Sequence, residues 1–372
     1  MRTHGQPAVE GELAVEREPA VDEEPADDGV DVSIVVVNHN GRRFLATALD
    51  ALHRNTATER AEIIVVDSAS TDGSVDSVTD GRLPVRVIRC AENVGFCGGN
   101  NLGVEHARGR LVAFAQSDGE VLPDWDAPLR AALEDSSVAG AGGITLSMPG
   151  GALIESAGIA IAPNLAAWSL CEGLSPDDAG LSDESRREVV GLSPAFLMVR
   201  RVDHLEMGGF WERLWMYGDE PDYAFRLARH GKAVLCPGSR MRHWAGGASG
   251  GHQSPLRLYQ SSRNRLLNAA RHLPSGRMLE AIVLSAAFDA LQLSQQRTYA
   301  ACRAVIRGWR DGLLEMPAAR RLSTRNERKA NVAMLTSLRD ALRQQRSLGR
   351  LRVSGTSDPG WGRVHTGDGS TS

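Results

Sequence analysis

Arg110-Leu-Val-Ala-Phe-Ala-Gln-Ser-Asp118 is the stretch of sequence that decides the fold, and Gly119 follows it directly. Its apolar centre runs unbroken from Leu111 to Ala115, a pattern typical of a strand buried on both faces. In open α/β sheets, ligands bind beyond the carboxyl ends of such strands. Asp118 therefore falls where such a fold would hold a metal-bound diphosphate. Because Asp and Gly also favour turns for local backbone reasons, this stretch alone leaves a simple turn equally open.

Units of strand and helix flank this stretch on its amino-terminal side. Val32–Val37 is rich in β-branched residues and precedes apolar residues at helical spacing, and Glu62–Asp67 repeats the plan. A third strand pattern at Val85–Ile88 precedes a predicted helix that closes near Gly109. Strands that alternate with helices predict a doubly wound, mostly parallel sheet flanked by helices.

Polar side chains stand at the ends of these four strands. The carboxyl ends of parallel strands share one edge of a sheet, so we expect the side chains to converge there. Core packing does not require carboxylates at successive strand ends, and the convergence therefore indicates a nucleotide pocket. No Gly-x-Gly-x-x-Gly follows the first strand and no Gly-Lys-Ser/Thr loop is present, which disfavours dinucleotide and P-loop nucleotide binding. The residues concerned are Asn38, Asn40, Asp67, Asn93, Gln116 and Asp118.

Later in the chain, the sequence predicts a strand at Val189–Val199 and the start of a helix near Pro221. A second group of carboxylates lies at the start of that helix. Asp219, Glu220 and Asp222 crowd the first turn of that helix. Acids at a helix N-terminus are favoured by the helix dipole and can be purely structural. Crowding also raises the pKa of a carboxyl group, so the same group of residues is a candidate general base.

Composition narrows the setting of the protein. Residues 1–31 hold ten of the 46 acidic residues and two of the 42 basic ones, so the rest of the chain is mildly basic. This bias is too small for a polyanion-binding protein, and we expect no nucleic-acid partner. The five cysteines are scattered without metal-ligand spacing, which is typical of a reducing cytoplasm. The chain shows neither a secretory signal nor an apolar run of about 18 residues, so we expect a cytoplasmic protein.

The two ends of the chain differ from its centre. Residues 1–30 and 351–372 have compositions typical of disordered tails. Residues 255–350 are predicted to form a helical, basic extension. Basic amphipathic helices often lie on anionic membranes, so one expectation is peripheral contact with the inner face of the cell membrane. A solvated helix face or a homo-oligomer contact between copies of the chain explains the same pattern equally well. The first predicted helix of this extension and the turn after it carry Arg257, Arg263, Arg265, Arg271 and Arg277, and the third helix and its linker carry Arg303, Arg307 and Arg310.

Taken together, these segments resemble the family 2 glycosyltransferases with a GT-A fold, in particular the bacterial rhamnosyltransferase-like branch. The resemblance covers roughly residues 32–270, and it rests on the order and spacing of blocks that are each weak alone. It implies a GT-A domain over 31–254, with a nucleotide-binding half at 31–120 and an acceptor and catalytic half at 121–254. The blocks are Val32–Gly41, Ile64–Ser74, Glu92–Gly103, the strand to Asp118, Gly208–Phe210, Met216–Arg229 and His243–Ser249.

The resemblance implies donor-binding roles for several residues. Asn38 and Asn40 match the end of the first strand, which lines the nucleotide pocket. Asp67 matches the acid that reads the base of the sugar nucleotide. Asn93 and Asn101 match polar positions that flank the start of the following helix.

The resemblance also implies a divalent metal ion, Mg²⁺ or Mn²⁺. Gln116-Ser-Asp118 matches the motif usually written Asp-x-Asp, with Asp118 as the metal-binding carboxylate and His243 as the late histidine that completes the site. Gln116 replaces the first Asp of that motif, which weakens metal affinity or shifts the position to a ribose contact. The Gly-rich residues 246–251 would close over the bound donor.

The general base implied by the resemblance is Glu220, which matches the second acid of the family's Glu-Asp pair. Asp219-Glu220 reverses the usual order, so the base is either Glu220, reaching one methylene further, or Asp219 after a small shift. The third acid of this turn, Asp222, is a further catalytic candidate.

The implied activity is inverting, metal-dependent transfer of a sugar from a nucleoside diphosphate donor to an acceptor hydroxyl. dTDP-rhamnose is the favoured donor and UDP-sugars come next, with a cell-envelope saccharide or a lipid-linked glycan as acceptor. A non-catalytic sugar-nucleotide-binding or interaction protein with a degenerate site is the alternative. A nucleotidyltransferase is disfavoured because Asn38-His-Asn-Gly41 lacks the Gly-rich, basic signature expected after the first strand.

Overall fold

A computed structural model describes residues 29–76, 78, 81–182, 184–244, 254–296 and 298–336. Most of the predicted acidic tail, the Gly-rich segment 246–251 and the predicted tail 351–372 lie outside the described residues. The α-helices are α1 Leu45–Asn55, α2 Gly95–Glu105, α3 Asp126–Leu133, α4 Arg201–Glu206, α5 Asp219–Leu227, α6 Pro255–His272, α7 Ser275–Gln296, α8 Tyr299–Arg320 and α9 Arg325–Asn331. The strands are β1 Val32–Asn38, β2 Ala61–Asp67, β3 Val85–Arg89, β4 Leu111–Gln116, β5 Gly119–Val121, β6 Val138–Ser147, β7 Ile154–Ser156, β8 Ile159–Ile161, β9 Ala167–Ser169, β10 Arg187–Val189, β11 Phe196–Arg200 and β12 Lys232–His243.

The amino-terminal half of the main sheet is parallel. Its strands lie in the order β4-β1-β2-β3, and each neighbouring pair runs in the same direction. β1, β2 and β4 are buried along nearly their whole length, as their unbroken apolar runs predict. The stretch ending at Asp118 therefore does form a central strand, and Ser117 and Asp118 form the turn between β4 and β5.

The other half of the sheet is mixed. β11 runs antiparallel to both β4 and β6, while β12 runs parallel to β6 and carries β10 and β5 at its edges. The predicted strand at Val189–Val199 is wrong as a single element. The structure divides it between β10, which ends at Val189 on the far side of β12, and β11, which begins at Phe196.

Helices cover both faces of this sheet, as the alternation of strands and helices predicts. α1 and α3 pack with one face of β1 in one hydrophobic cluster, and α2, α5 and α6 pack on the other face in a second cluster. α2 lies very close to β1, because a Cβ at Gly99 or Gly103 would overlap the side chains of Val37 and Val35. The result is a three-layer α/β arrangement with α6 as part of one layer.

The carboxyl-terminal helices stack on α6. α8 crosses α6 closely at Gly308 and Gly312, where a Cβ on Gly308 would lie 2.5 Å from the carbonyl oxygen of Tyr259. Leu293 at the end of α7 joins α8 residues in a small apolar cluster with Leu258 of α6. None of the described helices has the length and the apolar character needed to cross a membrane.

Candidate active site

The carboxyl ends of β1 and β2 form the first part of the site. Asn38 and Asp67 are partners in the sheet register, with 0% and 4% of their surface exposed. The Asn38 amide nitrogen lies 3.5 Å from Asp67 Oδ1 and donates to the hydroxyls of Ser70 and Ser74 at 3.1 and 2.9 Å. Asn38 Oδ1 has no hydrogen-bond partner among the described residues. A buried acceptor of this kind favours a donor group brought by a ligand.

Asn40 lies next to this edge but is exposed. Its Oδ1 accepts from the backbone N–H of Thr71 at 2.9 Å, and its own N–H donates to the Ser70 hydroxyl at 2.9 Å. Asn40 therefore holds the loop after β2 against the loop after β1. The Asn40 side chain, which is predicted to line the nucleotide pocket, thus makes a structural contact between two loops.

The start of α2 is built onto the same edge. The Ser68 hydroxyl donates to Asn93 Oδ1 at 3.0 Å, and that oxygen also accepts from the N–H of Gly95 at 2.9 Å. Asn93 thus orders the first turn of α2 beside Asp67. Arg89 adds a guanidinium nitrogen 3.9 Å from Asp67 Oδ2.

Asn101 does not belong to this group. Its Oδ1 accepts from the backbone N–H of Phe210 at 2.8 Å, and its nitrogen donates to the Phe210 carbonyl and to Glu212, both at 2.9 Å. These bonds use the amide to join α2 to the segment before α5. Asn101 lines a separate cavity of about 450 Å³ that also borders Trp211 and Arg271. The expected role in binding the donor has no support from this position.

Asp118 and His243 meet beyond the end of β4. β12 continues past the predicted strand and ends at His243, whose register partner is Gly119 of β5. His243 Nε2 lies 3.2 Å from Asp118 Oδ1, and its Nδ1 lies 2.7 Å from a carboxylate oxygen of Glu155. Burial lowers the pKa of His243, but the bonds to Asp118 and Glu155 outweigh it and raise the pKa to about 10.

Asp118 opens onto a small cleft of about 110 Å³. Arg43 lies over the rings of Phe44 and Trp244, at 5.3 and 5.9 Å from the ring centres. Gln116, the last residue of β4, is half-buried beside Val37 of β1. The cleft thus brings the carboxylates of Asp118 and Glu120 and the guanidinium of Arg43 together at one edge of the sheet, and His243 contacts Asp118 from outside its lining.

The acidic turn at the start of α5 has an unusual backbone. Trp215, Tyr217 and Gly218 have φ values of 60°, 64° and 76°, and the first two are not glycines. Left-handed conformations at such residues persist only where the surrounding structure enforces them. Asn264 of α6 provides that restraint, because its amide nitrogen lies 2.8, 3.1 and 2.7 Å from the carbonyls of Leu214, Met216 and Tyr217.

This turn is attached directly to the edge formed by β2, β3 and α2. The carbonyl oxygen of Trp215 accepts from the N–H of Cys97 in α2 at 3.0 Å, and the indole of Trp215 donates to the carbonyl of Asn93 at 3.2 Å. Asp219 and Glu220 follow within five residues. The structure therefore brings the predicted base candidates to the same side of the sheet as Asp67 and Asn93.

The three acids of the turn are in different environments. Burial, followed by the nearby Glu220 carboxylate, raises the pKa of Asp219 well above its usual range. Glu220 is half-buried. Asp222 is almost fully buried, and its two oxygens accept from Arg226, Arg271 and His272.

Asp222 is unsuited to act as a general base. Burial raises its pKa, but Arg226, His272 and Arg271 outweigh that effect and hold the pKa well below its usual range. Both oxygens already accept hydrogen bonds from buried partners. The expected catalytic role is therefore replaced by a structural one, in which Asp222 ties α5 to α6.

His272 extends this network to α9. Burial lowers the pKa of His272 to about 4, against the opposing effect of Asp222. The ring is therefore neutral at pH 7, with Nε2–H donating to Asp222 at 2.8 Å and Nδ1 facing the amide nitrogen of Asn331 at 3.2 Å. His204 is also buried, with its Nδ1 2.8 Å from the Tyr223 hydroxyl, and burial lowers its pKa to about 3.

Among the described residues, one set of three side chains has donor atoms spaced for a metal ion, and it lies away from the Asp118–His243 pair. Asp203, Glu206 and His230 each place one such atom within 4.8 Å of the others. Asp203 already accepts from Arg200 Nε at 2.7 Å, and Glu206 is exposed. Exposed carboxylates of this kind are common without a metal ion, and none of the three lines the cleft at Asp118.

Residues 33–154 match the sequence profile of Glycosyl transferase family 2. This range contains β1 to β4 and the residues Asn38, Asp67, Asn93 and Asp118. The match confirms the resemblance to family 2 glycosyltransferases over residues 33–154.

Several curated proteins are similar over part of the chain. The O-antigen biosynthesis protein RfbC of Myxococcus xanthus is 27% identical over 212 residues, which are 55% of this chain and 16% of that protein. The putative glycosyltransferase EpsH of Bacillus subtilis is 36% identical over 99 residues, 25% of this chain and 28% of that protein. The succinoglycan biosynthesis protein ExoO of Rhizobium meliloti is 36% identical over 115 residues, 30% of this chain and 31% of that protein. The chain thus spans less than a third of the length of these relatives.

Solved structures confirm the predicted fold class. The structure of GalNAc-T7 with UDP, GalNAc and Mn²⁺ superposes with a TM-score of 0.55 and 18% identity, over 67% of this chain and 49% of that one. The structure of S. aureus TarS 1–349 with UDP-GlcNAc gives a TM-score of 0.53 and 15% identity, over 88% and 93% of the two chains. At this identity the likeness shows the GT-A type of fold.

We expect Asn264→Asp to loosen the acidic turn, because it places a carboxylate against three carbonyl oxygens. The free energy of unfolding should fall by about 1–3 kcal/mol, and hydrogen exchange should speed up at residues 215–220 more than in β1 and β2. Asn268→Asp is the graded comparison, since the Asn268 side chain donates to one carbonyl of the same segment, that of Gly218, and should loosen it less. Exchange at 215–220 that stays at the native rate in Asn264→Asp would show that Asn264 does not restrain the turn.

We expect His204 and His272 to contribute less to the free energy of unfolding as the pH falls from 7 to 5, whereas Asp219 and His243, whose pKa values are raised, act in the opposite direction. The folded-state pKa values of His204 and His272 lie below the usual value of 6.5, so the unfolded chain takes up protons first and their contribution to stability is lost on acidification. Each histidine contributes roughly 1 kcal/mol per pH unit at most. In urea unfolding, His272→Gln should remove the part of this dependence that comes from His272, whereas His106→Gln, outside the network, should leave the dependence unchanged. A His272→Gln curve parallel to the native one would contradict this account.

Proposed function

Because residues 33–154 form a family 2 glycosyltransferase domain, we propose that this protein transfers a sugar, with inversion, from a nucleoside diphosphate sugar to an acceptor hydroxyl. One observation carries the proposal. Asp118, with its His243 partner, and the buried Asn38–Asp67 pair stand at the ends of neighbouring parallel strands, and the acidic turn is attached to the same edge. This arrangement supplies separate groups for the diphosphate, the nucleoside and the attacking hydroxyl.

The donor is proposed to lie along the ends of β1, β2 and β4. The carboxylate of Asp67 and the unpartnered Oδ1 of Asn38 are acceptors suited to N–H and O–H groups of a nucleoside. Arg43 in the cleft beside Asp118 suits a diphosphate, since guanidinium groups bind phosphate oxygens well. A dTDP-sugar or a UDP-sugar is the proposed donor, and the UDP and UDP-GlcNAc in the structures of GalNAc-T7 and TarS support a uridine donor.

The donor set at Asp118 fits a hard divalent cation. A carboxylate oxygen and an imidazole nitrogen lie together, and the Glu155 carboxylate fixes the orientation of the ring from its other side. This pairing of a ligating histidine with a carboxylate is common at metal sites. Asp118 and His243 are proposed to hold Mg²⁺ or Mn²⁺, and His243 would release its Nε2 proton when the ion binds. The ion would neutralise charge that develops on the diphosphate leaving group. The Mn²⁺ in the GalNAc-T7 structure supports this assignment.

The proton of the acceptor hydroxyl is proposed to pass to Glu220 or Asp219. Asp219 is buried and has a raised pKa, and a raised pKa makes its carboxylate a stronger base than an ordinary one. Glu220 is less buried and reaches one methylene further. Inversion requires the hydroxyl to attack from the face opposite the leaving diphosphate as the carboxylate takes its proton.

The acceptor is proposed to be a cell-envelope saccharide or a lipid-linked glycan, reached from the cytoplasmic side of the membrane. The support comes from the relatives, since RfbC is an O-antigen biosynthesis protein and ExoO is a succinoglycan biosynthesis protein.

A nucleotide panel tests the donor site. Thermal unfolding is measured with UDP, dTDP, GDP and CMP, each with and without Mn²⁺. A ligand at a hundred times its dissociation constant adds about 2.7 kcal/mol of stability, so one nucleotide should raise the melting temperature clearly, and only with metal. Asp118→Asn should abolish the metal-dependent part. No response to any nucleotide would overturn the proposal.

Variants of the acidic turn separate catalysis from binding. We expect Glu220→Gln or Asp219→Asn to lower donor turnover about 10²- to 10⁴-fold, with donor affinity unchanged within about twofold. Glu105→Gln, which neutralises an exposed acid at the end of α2, is the control. Turnover is measured as release of nucleoside diphosphate in the presence of acceptor. Donor binding without turnover in the native protein would instead support a non-catalytic sugar-nucleotide-binding protein.

Glu155 is expected to set metal affinity through His243. Glu155→Gln should raise the Mn²⁺ concentration that gives half of the UDP-induced stabilisation about 10- to 100-fold. Glu120→Gln removes a carboxylate from the same cleft and is the control for charge alone. An equal shift in the two variants would show that Glu155 acts by its charge and not by orienting the ring.

A further inference from the structure

One face of α8 is buried against α6. Gly308 and Gly312 allow the two helices to approach closely, and Ala301, Ala304 and Val305 fill the contact. The acids of α8 belong to this inner side, since Asp311 accepts from Tyr259 at 2.9 Å and Glu315 accepts from Arg263 at 2.9 and 2.7 Å. The orientation of α8 is therefore fixed by packing and by ion pairs.

The opposite face of α8 is apolar and exposed. The exposed fractions are 82% for Tyr299, 66% for Ile306, 49% for Leu313 and 74% for Leu314. These positions fall on one side of a helix with 3.6 residues per turn, about 180° from Gly308. Single exposed apolar residues are ordinary, but four large ones on one helix face are typical of a surface that a membrane or a partner protein covers. We call the exposed residues Tyr299, Arg303, Ile306, Arg310, Leu313 and Leu314 the outer face.

The charges of the outer face are all positive. Arg303 is exposed, and the Arg310 side chain is 65% exposed while the Asp311 carboxylate that it reaches is only 18% exposed. The outer face thus combines two guanidinium groups with four large apolar side chains. Long arginine side chains can keep their charge at a polar surface while their stems lie along apolar groups.

We infer that the outer face of α8 docks on the surface of a bilayer that contains anionic phospholipid. A helix of 22 residues is about 33 Å long and can lie flat, with apolar groups below the headgroups and arginines at the phosphates. A second copy of the chain fits less well. In a two-fold symmetric contact this face would meet itself, and Arg303 and Arg310 of the two copies would face each other with Asp311, mostly buried and already paired with Arg310, as the nearby acid.

The inference does not depend on the proposed reaction. It adds to it a reason for the protein to work where lipid-linked acceptors lie. Docking through α8 would hold the α/β domain at the membrane in one orientation, because α8 is joined to α6 by the packing at Gly308 and Gly312.

Co-flotation of the full chain with lipid vesicles tests this docking surface. Native protein should bind vesicles of 70% phosphatidylcholine and 30% phosphatidylglycerol, and should not bind pure phosphatidylcholine. Arg303→Gln/Arg310→Gln should weaken binding about tenfold to thirtyfold, from about 1 kcal/mol for each arginine. Ile306→Ser/Leu314→Ser should weaken it at least tenfold.

Leu279→Ser/Val283→Ser is the matched control. These α7 residues are 62% and 60% exposed, so the variant removes similar apolar area from a different helix face. It should bind vesicles like the native protein, and all variants should keep the native nucleotide response and circular dichroism.

Three results would overturn the inference. They are absence of native binding to anionic vesicles, equal loss in the α7 and α8 variants, and a native dimer that the α8 variants convert to a monomer. The last result would assign the outer face to a second copy. A protein that binds vesicles but no nucleotide would support the docking surface and contradict the proposed function, so the two failures are distinguishable.

Discussion

The register of β1 between β2 and β4 is the constraint on which the candidate site depends. Pairing in parallel places Asn38 opposite Asp67 and Val37 opposite Gln116, so the chain leaves all three strands at one edge. A slip of one residue would turn the apolar residues of these buried strands to the wrong faces. The hydrophobic core therefore fixes the positions of the polar strand ends, and no separate interaction is needed to assemble them.

The acidic turn depends on a different kind of contact. α5 and the segment before it are held by α6, through Asn264 at three carbonyls and through Arg271 and His272 at Asp222. These groups are buried and mutually satisfied, which is the condition under which a polar network specifies one geometry. Residues 255–272 are therefore built into the α/β domain, although the sequence composition changes at 255 and predicts an extension there.

The sequence predicts the parts of the site that follow from local pattern. Asp67 and Asp118 stand at the ends of apolar strands, and a strand end is visible in a single stretch of sequence. Asn101 and Asp222 also have polar side chains, but these side chains form hydrogen bonds with residues 109 and 49 positions away in the sequence. Glu155 and Asn264 were missed for the same reason, since His243 and Leu214 lie 88 and 50 residues from them. The long-range partner of a polar side chain, and not its residue type, therefore decides whether that side chain belongs to the candidate site.

The connection from α8 to the acidic turn is short. Glu315 of α8 accepts from Arg263, and Arg263 donates to the backbone carbonyl of Arg213 and to the side-chain Oδ1 of Asn264. Asn264 in turn donates to the backbone carbonyls before Asp219. Each link is a hydrogen bond between groups that are buried or nearly so, and such bonds are strong in a region of low dielectric constant. A membrane surface that binds α8 would therefore hold a helix that is connected to the acidic turn by these hydrogen bonds. α6 thus supports the acidic turn, and the proposed docking of α8 would orient the domain that carries the turn.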